Sequence, residues 1–219
     1  MTVKTLRSGT LPGMHNPVGR GPAERRAQLV DVREVRVAAA TMEMRTLRNG
    51  DLVATGYAST FEEYEVYGGP ERYGWIERID PLAFNKTMSQ KPDVVYLINH
   101  DGLPLARTKS GTLRLGVDSG GLAVEALLEK TDPDVLRLQP KMERGDVDEM
   151  SFAFYVKTQD WSAAQGYDED PYSYRVITEL SIHRGDVSVV TFGANPTTSA
   201  KLETIGTGER GEKGGTMDQ

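Results

Sequence analysis

The chain has 219 residues, of which 38% are hydrophobic, and a formal net charge of −6. This length suits one domain with a sizeable core. Residues 1–30 carry a local balance of +4, which leaves −10 on the rest of the chain. Because phosphate contacts need a basic face, the acidic body disfavours nucleic acid as a specific partner.

Two absences narrow the class of protein further. The chain has no cysteine, which excludes disulfide bonds, a thiol nucleophile and cysteine-ligated zinc. It has neither a long apolar run nor an apolar stretch near its start of the kind found in signal peptides. We therefore expect a soluble intracellular protein with no membrane partner.

The spacing of glycine, proline and charge predicts three parts. Residues 1–30 are expected to form a flexible basic arm, residues 31–204 one folded domain, and residues 205–219 a disordered, glycine-rich tail.

Within the folded part, alternating or continuous apolar patterns predict about eight strands, with a loop at residues 61–73 and a short helix at 81–89. The strands are expected at residues 32–41, 52–60, 94–98, 112–117, 122–128, 149–158, 172–183 and 186–192. Residues 118–121 have the composition of a hairpin turn. A second helix should begin after Asp132, contain Pro140 and end near Arg144. The pattern is typical of an α+β protein that is mostly β, with a closed antiparallel β-barrel surrounded by a few helices.

Histidine and serine supply the candidates for chemistry. The chain has three histidines, and His15 lies in the predicted arm. His100 directly follows a buried strand, where its side chain would reach the rim of the barrel. Ser151 lies in a strand whose alternation points Met150 and Phe152 to the core and the hydroxyl to the opposite face. A serine held on a rigid strand can act as a nucleophile if a base such as histidine lies within hydrogen-bond reach.

An acidic residue could complete such a pair. Asp186 begins an almost unbroken apolar strand, and a carboxylate there could orient an imidazole and stabilise its charged form. His183, three residues earlier, is the rival for this third role.

Seven pieces of sequence, taken in order, resemble the prohead (capsid-maturation) serine proteases of tailed bacteriophages, which are related to the herpesvirus assemblins. They include Asn-His-Asp at 99–101, Met-Ser-Phe at 150–152 and Asp-Val-Ser-Val-Val-Thr at 186–191, and the resemblance covers about residues 52–200. The complete set is residues 56–58, 77–84, 93–101, 105–113, 121–122, 150–152, and 186–191 together with 194–196.

The resemblance implies an assemblin-like barrel and a serine endopeptidase that works through an acyl-enzyme. The family histidine falls on His100 and the family serine on Ser151. The third member falls on Asp186, where relatives often have glutamate; we prefer it to His183, which would mimic the two histidines of the assemblins. Main-chain amides and Arg107 are alternative candidates for the hydrogen-bond donors to the oxyanion.

The resemblance also implies the setting of the reaction. The expected substrates are capsid and scaffold proteins and the protease's own ends, cut inside the immature capsid in the cytoplasm of the bacterial host. No cofactor and no metal ion are expected, and a homo-oligomer is left open. Two alternatives are a non-catalytic scaffold or assembly protein that keeps the barrel, and a metal-dependent hydrolase that uses His100 and Asp101.

Overall fold

The computed structural model describes residues 4–5, 29–48, 50–72 and 74–191, with the backbone alone at 4–5 and 37–41. The predicted tail and most of the predicted arm lie outside these residues, so the division into three parts stays a prediction. No helix in the described part of the chain is long and apolar enough to cross a membrane.

Thirteen strands and two short α-helices make up the described fold. The strands are β1 (Lys4–Thr5), β2 (Arg33–Thr41), β3 (Glu43–Thr46), β4 (Leu52–Thr60), β5 (Tyr64–Val66), β6 (Trp75–Ile79), β7 (Val95–Ile98), β8 (Asp101–Arg107), β9 (Leu113–Val117), β10 (Gly121–Leu128), β11 (Glu149–Ser162), β12 (Tyr174–Ser181) and β13 (Asp186–Val190). The helices are α1 (Asn85–Ser89), which follows a 3₁₀ turn at Pro81–Phe84, and α2 (Pro133–Glu143).

The strands form two sheets. In the nine-stranded sheet the path through paired neighbours runs β1, β5, β6, β12, β11, β13, β7, β8, and β2 also pairs with β11. The four-stranded sheet has the order β3, β4, β10, β9. Most pairings are antiparallel, but β1–β5, β6–β12 and β7–β13 are parallel. Within the described residues neither sheet closes on itself, so the mostly β, α+β class is confirmed while the closed barrel stays a prediction.

One hydrophobic core joins the two sheets. The rings of Phe152 and Phe154 on β11 stack with their centroids 4.5 Å apart, and Phe84 of the 3₁₀ turn packs against Phe152. Val124 of β10 and Val187 of β13 reach the same core from opposite sheets. The core face of β11 is therefore fixed by bulky apolar side chains, and it fixes in turn which residues lie on the other face.

The sequence predicted the longer elements well and missed several short ones. The hairpin between β9 and β10 and both helices are confirmed, and the side chain of Asp132 caps α2 by accepting from the amide of Asp134 at 2.7 Å. The loop predicted for residues 61–73 is wrong in part, because β5 lies within it and pairs with β6. Strands β3, β6 and β8 were not predicted either.

Candidate active site

The central strand β11 is buried on both faces. Met150, Phe152 and Phe154 point to the core, and Ser151 and Ala153 lie on the opposite face, yet all five are at most 1% exposed. Ser151 is therefore a small polar residue in a strand that is otherwise apolar at this point. A buried hydroxyl needs hydrogen-bond partners, so its surroundings are informative.

Strand β13 brings two more polar residues to the face that carries Ser151. It runs antiparallel to β11, and Ser151 pairs directly with Ser188. Because side chains alternate along a strand, Asp186 and Ser188 share one face of β13, while Val187 and Val189 are fully buried in the core. The register of two strands therefore places these three polar residues on the same face of the sheet.

His100 reaches this face from a tight turn. Strand β7 runs parallel to β13 on its far side, and the hairpin from β7 to β8 turns at Asn99 and His100, between the paired residues Ile98 and Asp101. Both turn residues have positive φ, 50° and 60°, as a type I′ turn requires. Asparagine and histidine are among the non-glycine residues found most often in this conformation, but both adopt it at a steric cost that glycine does not have.

Ser151, His100 and Asp186, which we call the polar cluster, contact one another through the imidazole. Nε2 of His100 lies 2.7 Å from Oγ of Ser151. Its other nitrogen, Nδ1, donates to Oδ2 of Asp186. Ser151 is fully buried, and the imidazole is 18% exposed, so the imidazole is the more accessible of the two.

Asp186 is held in its ionised form. Burial by itself would raise the pKa of its carboxyl group, but the hydrogen bond and charge of His100, donation by Ser188 and the charge of Arg33 together lower that pKa below the ordinary value. Nη2 of Arg33 donates to Oδ1 at 2.7 Å, and Oγ of Ser188 donates to Oδ2 at 2.8 Å. A carboxylate with these partners can stabilise an imidazolium ion beside it.

The hydroxyl of Ser151 also has a second acceptor. The main-chain oxygen of Arg36 on β2 lies 2.8 Å from Oγ. Since the hydroxyl has a single proton, it donates either to this oxygen or to Nε2 of His100. Both acceptors hold Oγ in the same place between β2 and the imidazole.

The other sequence-predicted candidates lie elsewhere. Nδ1 of His183 accepts from the backbone amide of Asp93 at 3.1 Å, so this ring is not part of the polar cluster. Arg107 forms a two-bond ion pair with Asp93, at 2.6 and 2.8 Å. The carboxylate of Asp101 accepts from the amide of Gly102. Across the described ranges, histidine, aspartate and glutamate form no group of three or more that could hold a metal ion.

Two residues at this site were not found from the sequence. Ser188 could have been found, because it lies two positions after Asp186 and must share its face of the strand. Arg33 carried no such signal. It is 153 positions from Asp186 and reaches it only because β2 pairs with β11.

Comparison with known proteins agrees with the resemblance seen in the sequence. A family model described as caudovirus prohead serine protease matches residues 40–210, which is most of the chain. No curated protein and no solved structure matches. On the extent of the family match, the chain belongs to the caudovirus prohead serine proteases.

Proposed function

We propose that this chain is a serine endopeptidase that cuts scaffold and capsid proteins during phage prohead maturation. In this proposal Ser151 is the nucleophile, His100 the general base and Asp186 the carboxylate that orients the imidazole. The observation that carries it is the 2.7 Å separation between Nε2 of His100 and Oγ of Ser151, which is within hydrogen-bond reach for proton transfer. Family membership supplies the reaction class.

The first half of the reaction forms an acyl-enzyme. Nε2 of His100 takes the proton as Oγ of Ser151 attacks the carbonyl carbon of the substrate peptide bond. The tetrahedral intermediate carries a negative oxygen, and the imidazolium is stabilised by the carboxylate of Asp186. The carbon–nitrogen bond then breaks, and the amine leaves with the proton from Nε2.

The second half releases the acyl group. Water enters in place of the amine and gives a proton to Nε2 as its oxygen attacks the ester. Collapse of the second intermediate breaks the bond to Oγ, which recovers its proton from His100. The side chains of the enzyme return to their starting states, and no cofactor takes part in these steps.

Covalent labelling by a fluorophosphonate tests this assignment without knowledge of the cleavage sequence. We expect the wild type to be labelled at Ser151, and Ser151→Ala and His100→Ala to lose labelling by a factor of roughly 10⁴ or more. Ser89→Ala is a suitable control, because Ser89 is an exposed serine bonded to the backbone of Lys86. Equal labelling of wild type and Ser151→Ala would refute the nucleophile.

We extend the proposal to the substrates and setting of the family. The scaffold and capsid proteins would be cut inside the immature capsid in the bacterial host, and the closed barrel of the assemblins would be the frame of the enzyme. Self-processing would remove segments from the ends of the chain. Intact mass measured after prolonged incubation tests this last point: we expect a mass loss in the wild type that Ser151→Ala does not show.

A further inference from the structure

The two oxygens of the Asp186 carboxylate have separate donors. Oδ1 accepts from Nη2 of Arg33 at 2.7 Å. Oδ2 accepts from Nδ1 of His100 and from Oγ of Ser188, the latter at 2.8 Å. With a donor at each oxygen, the plane of the carboxylate cannot rotate without breaking a charge-assisted hydrogen bond.

Ser188 also constrains the imidazole directly. Its Oγ lies 3.2 Å from Nδ1 of His100. The single proton of this hydroxyl is donated to Asp186, so the oxygen of Ser188 can only accept from Nδ1. Both neighbours of Nδ1 are therefore acceptors, which requires a proton on Nδ1 and leaves the lone pair of a neutral imidazole on Nε2, facing Ser151.

We propose that Ser188 and Arg33 are positioning residues for the proposed reaction, with Ser188 fixing the tautomer of His100 and Arg33 fixing the orientation and charge of Asp186. The proposal rests on the proposed function, and neither residue contacts the reacting atoms. Ser188 is fully buried opposite Ser151, while the Arg33 side chain is 39% exposed at the start of β2.

The charges around the pair of His100 and Asp186 set the expected pH dependence. Arg33 is the charged side chain that contacts Asp186 besides His100. On the same strand as Arg33, Glu34 and Arg36 are engaged with each other and with other buried side chains. Two further charged groups lie on neighbouring segments. Asp101 on β8 accepts from a backbone amide, and Glu149 is the first residue of β11.

Removing a donor from Asp186 raises the pKa of its carboxyl group, because an interaction that stabilises the ionised form is lost. The ionised carboxylate that orients the imidazole is then lost at a higher pH. We therefore expect the acid limb of the pH profile of the labelling rate to move to higher pH when either donor is removed. A residue with a merely structural role would lower the rate at every pH and leave the limb in place.

Two matched pairs of variants separate these cases. Ser188→Thr and Ser188→Val have the same shape, so they differ only in the hydroxyl. Arg33→Lys keeps the charge that Arg33→Gln removes. Arg114→Gln serves as the control, because it breaks an exposed ion pair with Glu125 on the four-stranded sheet, away from the polar cluster. The measurement is the second-order rate of fluorophosphonate labelling as a function of pH, with thermal unfolding followed in parallel.

For Ser188→Val and Arg33→Gln we expect a rate about tenfold below that of the matched partner, which is the usual size for one charge-assisted hydrogen bond, and an acid limb about half a pH unit higher. Ser188→Thr and Arg33→Lys should stay within about threefold of the wild type.

Three outcomes would contradict the proposal. An acid limb at the wild-type pH in Arg33→Gln would overturn the role of Arg33, and identical pH profiles for Ser188→Thr and Ser188→Val would overturn that of Ser188. If the wild type itself is not labelled at Ser151, the proposed function fails, and this inference fails with it. Because Arg33 is partly exposed, its variants keep the test decisive even if the substitutions at Ser188 prevent folding.

Discussion

His100 has a backbone conformation that non-glycine residues seldom adopt. Its φ is 60°, and the preceding Asn99 has φ 50°. In this region the Cβ atom crowds the following carbonyl, at a cost of roughly 1–2 kcal/mol for an ordinary residue. The contacts with Asp186 and Ser151 hold the side chain in place despite this cost. Strain of this kind is characteristic of functional sites, where one side chain must be presented in a fixed direction.

The strain can be measured by comparing two substitutions at this position. His100→Gly and His100→Ala both remove the imidazole, but glycine adopts positive φ without a steric cost. We expect the glycine variant to have a free energy of unfolding about 1 kcal/mol higher than the alanine variant. Urea unfolding measures the difference, and neither variant should react with a fluorophosphonate. If alanine is the more stable of the two, as in an ordinary strand, the turn is not strained.

The alternation of side chains between the two faces of a strand accounts for what was predictable about single residues. The alternation of residues 150–154 pointed Ser151 away from the core, and the same rule places Asp186 and Ser188 together. The positive φ of His100 was not predictable, because the preferred residue after asparagine in such a turn is glycine. The contact of Arg33 with Asp186 depends on the register of β2 against β11, which no local pattern encodes.

At the scale of elements, β11 organises the large sheet by pairing along both edges. Tyr155 pairs with Arg33 on one side and with Ser181 on the other, so β2 and β12 lie on opposite edges. Strand β13 then continues the line of β12 along the same edge. The connection between β12 and β13 comes very close to β11 at Gly185, where an added Cβ would lie 2.3 Å from the main-chain oxygen of Ala153.

We expect Gly185→Ala to disturb both stability and the polar cluster. The added methyl group cannot be accommodated against backbone, so the start of β13, including Asp186, must move away from β11. The free energy of unfolding should fall by about 1–3 kcal/mol, the usual cost of overpacking, and fluorophosphonate labelling should slow. Gly116→Ala is the control, since a Cβ at Gly116 on β9 meets nothing within 4 Å. A Gly185→Ala protein as stable as Gly116→Ala would show that the close approach does not matter.

The elements missed from the sequence share a physical cause. In β6 the buried positions are Trp75, Glu77 and Ile79, so a charged residue occupies a position where an apolar one is expected, and Ile76 faces the other way. Strand β5 has only three residues. Residues 101–104 of β8 are exposed, and Pro104 among them cannot donate to a ladder. Tertiary pairing determines these strands, and their own patterns do not reveal it.

A buried ion cluster holds three strands of the protein together. It consists of Glu34 and Arg36 on β2, Glu77 on β6 and Arg175 on β12, all at most 8% exposed. Two positive and two negative side chains balance the charge. The guanidinium of Arg175 lies 5.4 Å from the ring centroid of Trp161 and 6.0 Å from that of Trp75. The main-chain oxygen of Arg36 contacts Ser151, so this cluster also anchors the strand that lies against Ser151.

The ionisation of Glu77 makes the stability that this cluster contributes depend on pH. Burial by itself would raise the pKa of Glu77, but Arg36 and Arg175 together lower it from 4.5 to about 2. A carboxyl group with a lowered pKa contributes stability that is complete above its unfolded pKa and is lost as the pH falls through its folded pKa. The contribution of Glu77 should therefore be complete at pH 5 and above and should disappear between about pH 4.5 and 2, with a size on the order of 3 kcal/mol.

Urea unfolding at a series of pH values tests the role of the ion cluster in the acid stability of the fold. Glu77→Gln leaves two buried arginines with one carboxylate, so at neutral pH it should be less stable than the wild type by roughly 3–5 kcal/mol. Because the titrating group is gone, the variant should lose less further stability on acidification than the wild type does. Glu125→Gln removes an exposed carboxylate paired with Arg114, and its pH profile should match that of the wild type. If Glu77→Gln and Glu125→Gln behaved alike below pH 4.5, the acid sensitivity would have to come from carboxylates other than Glu77. Asp186, which His100 and Arg33 also hold ionised, would be the next to replace.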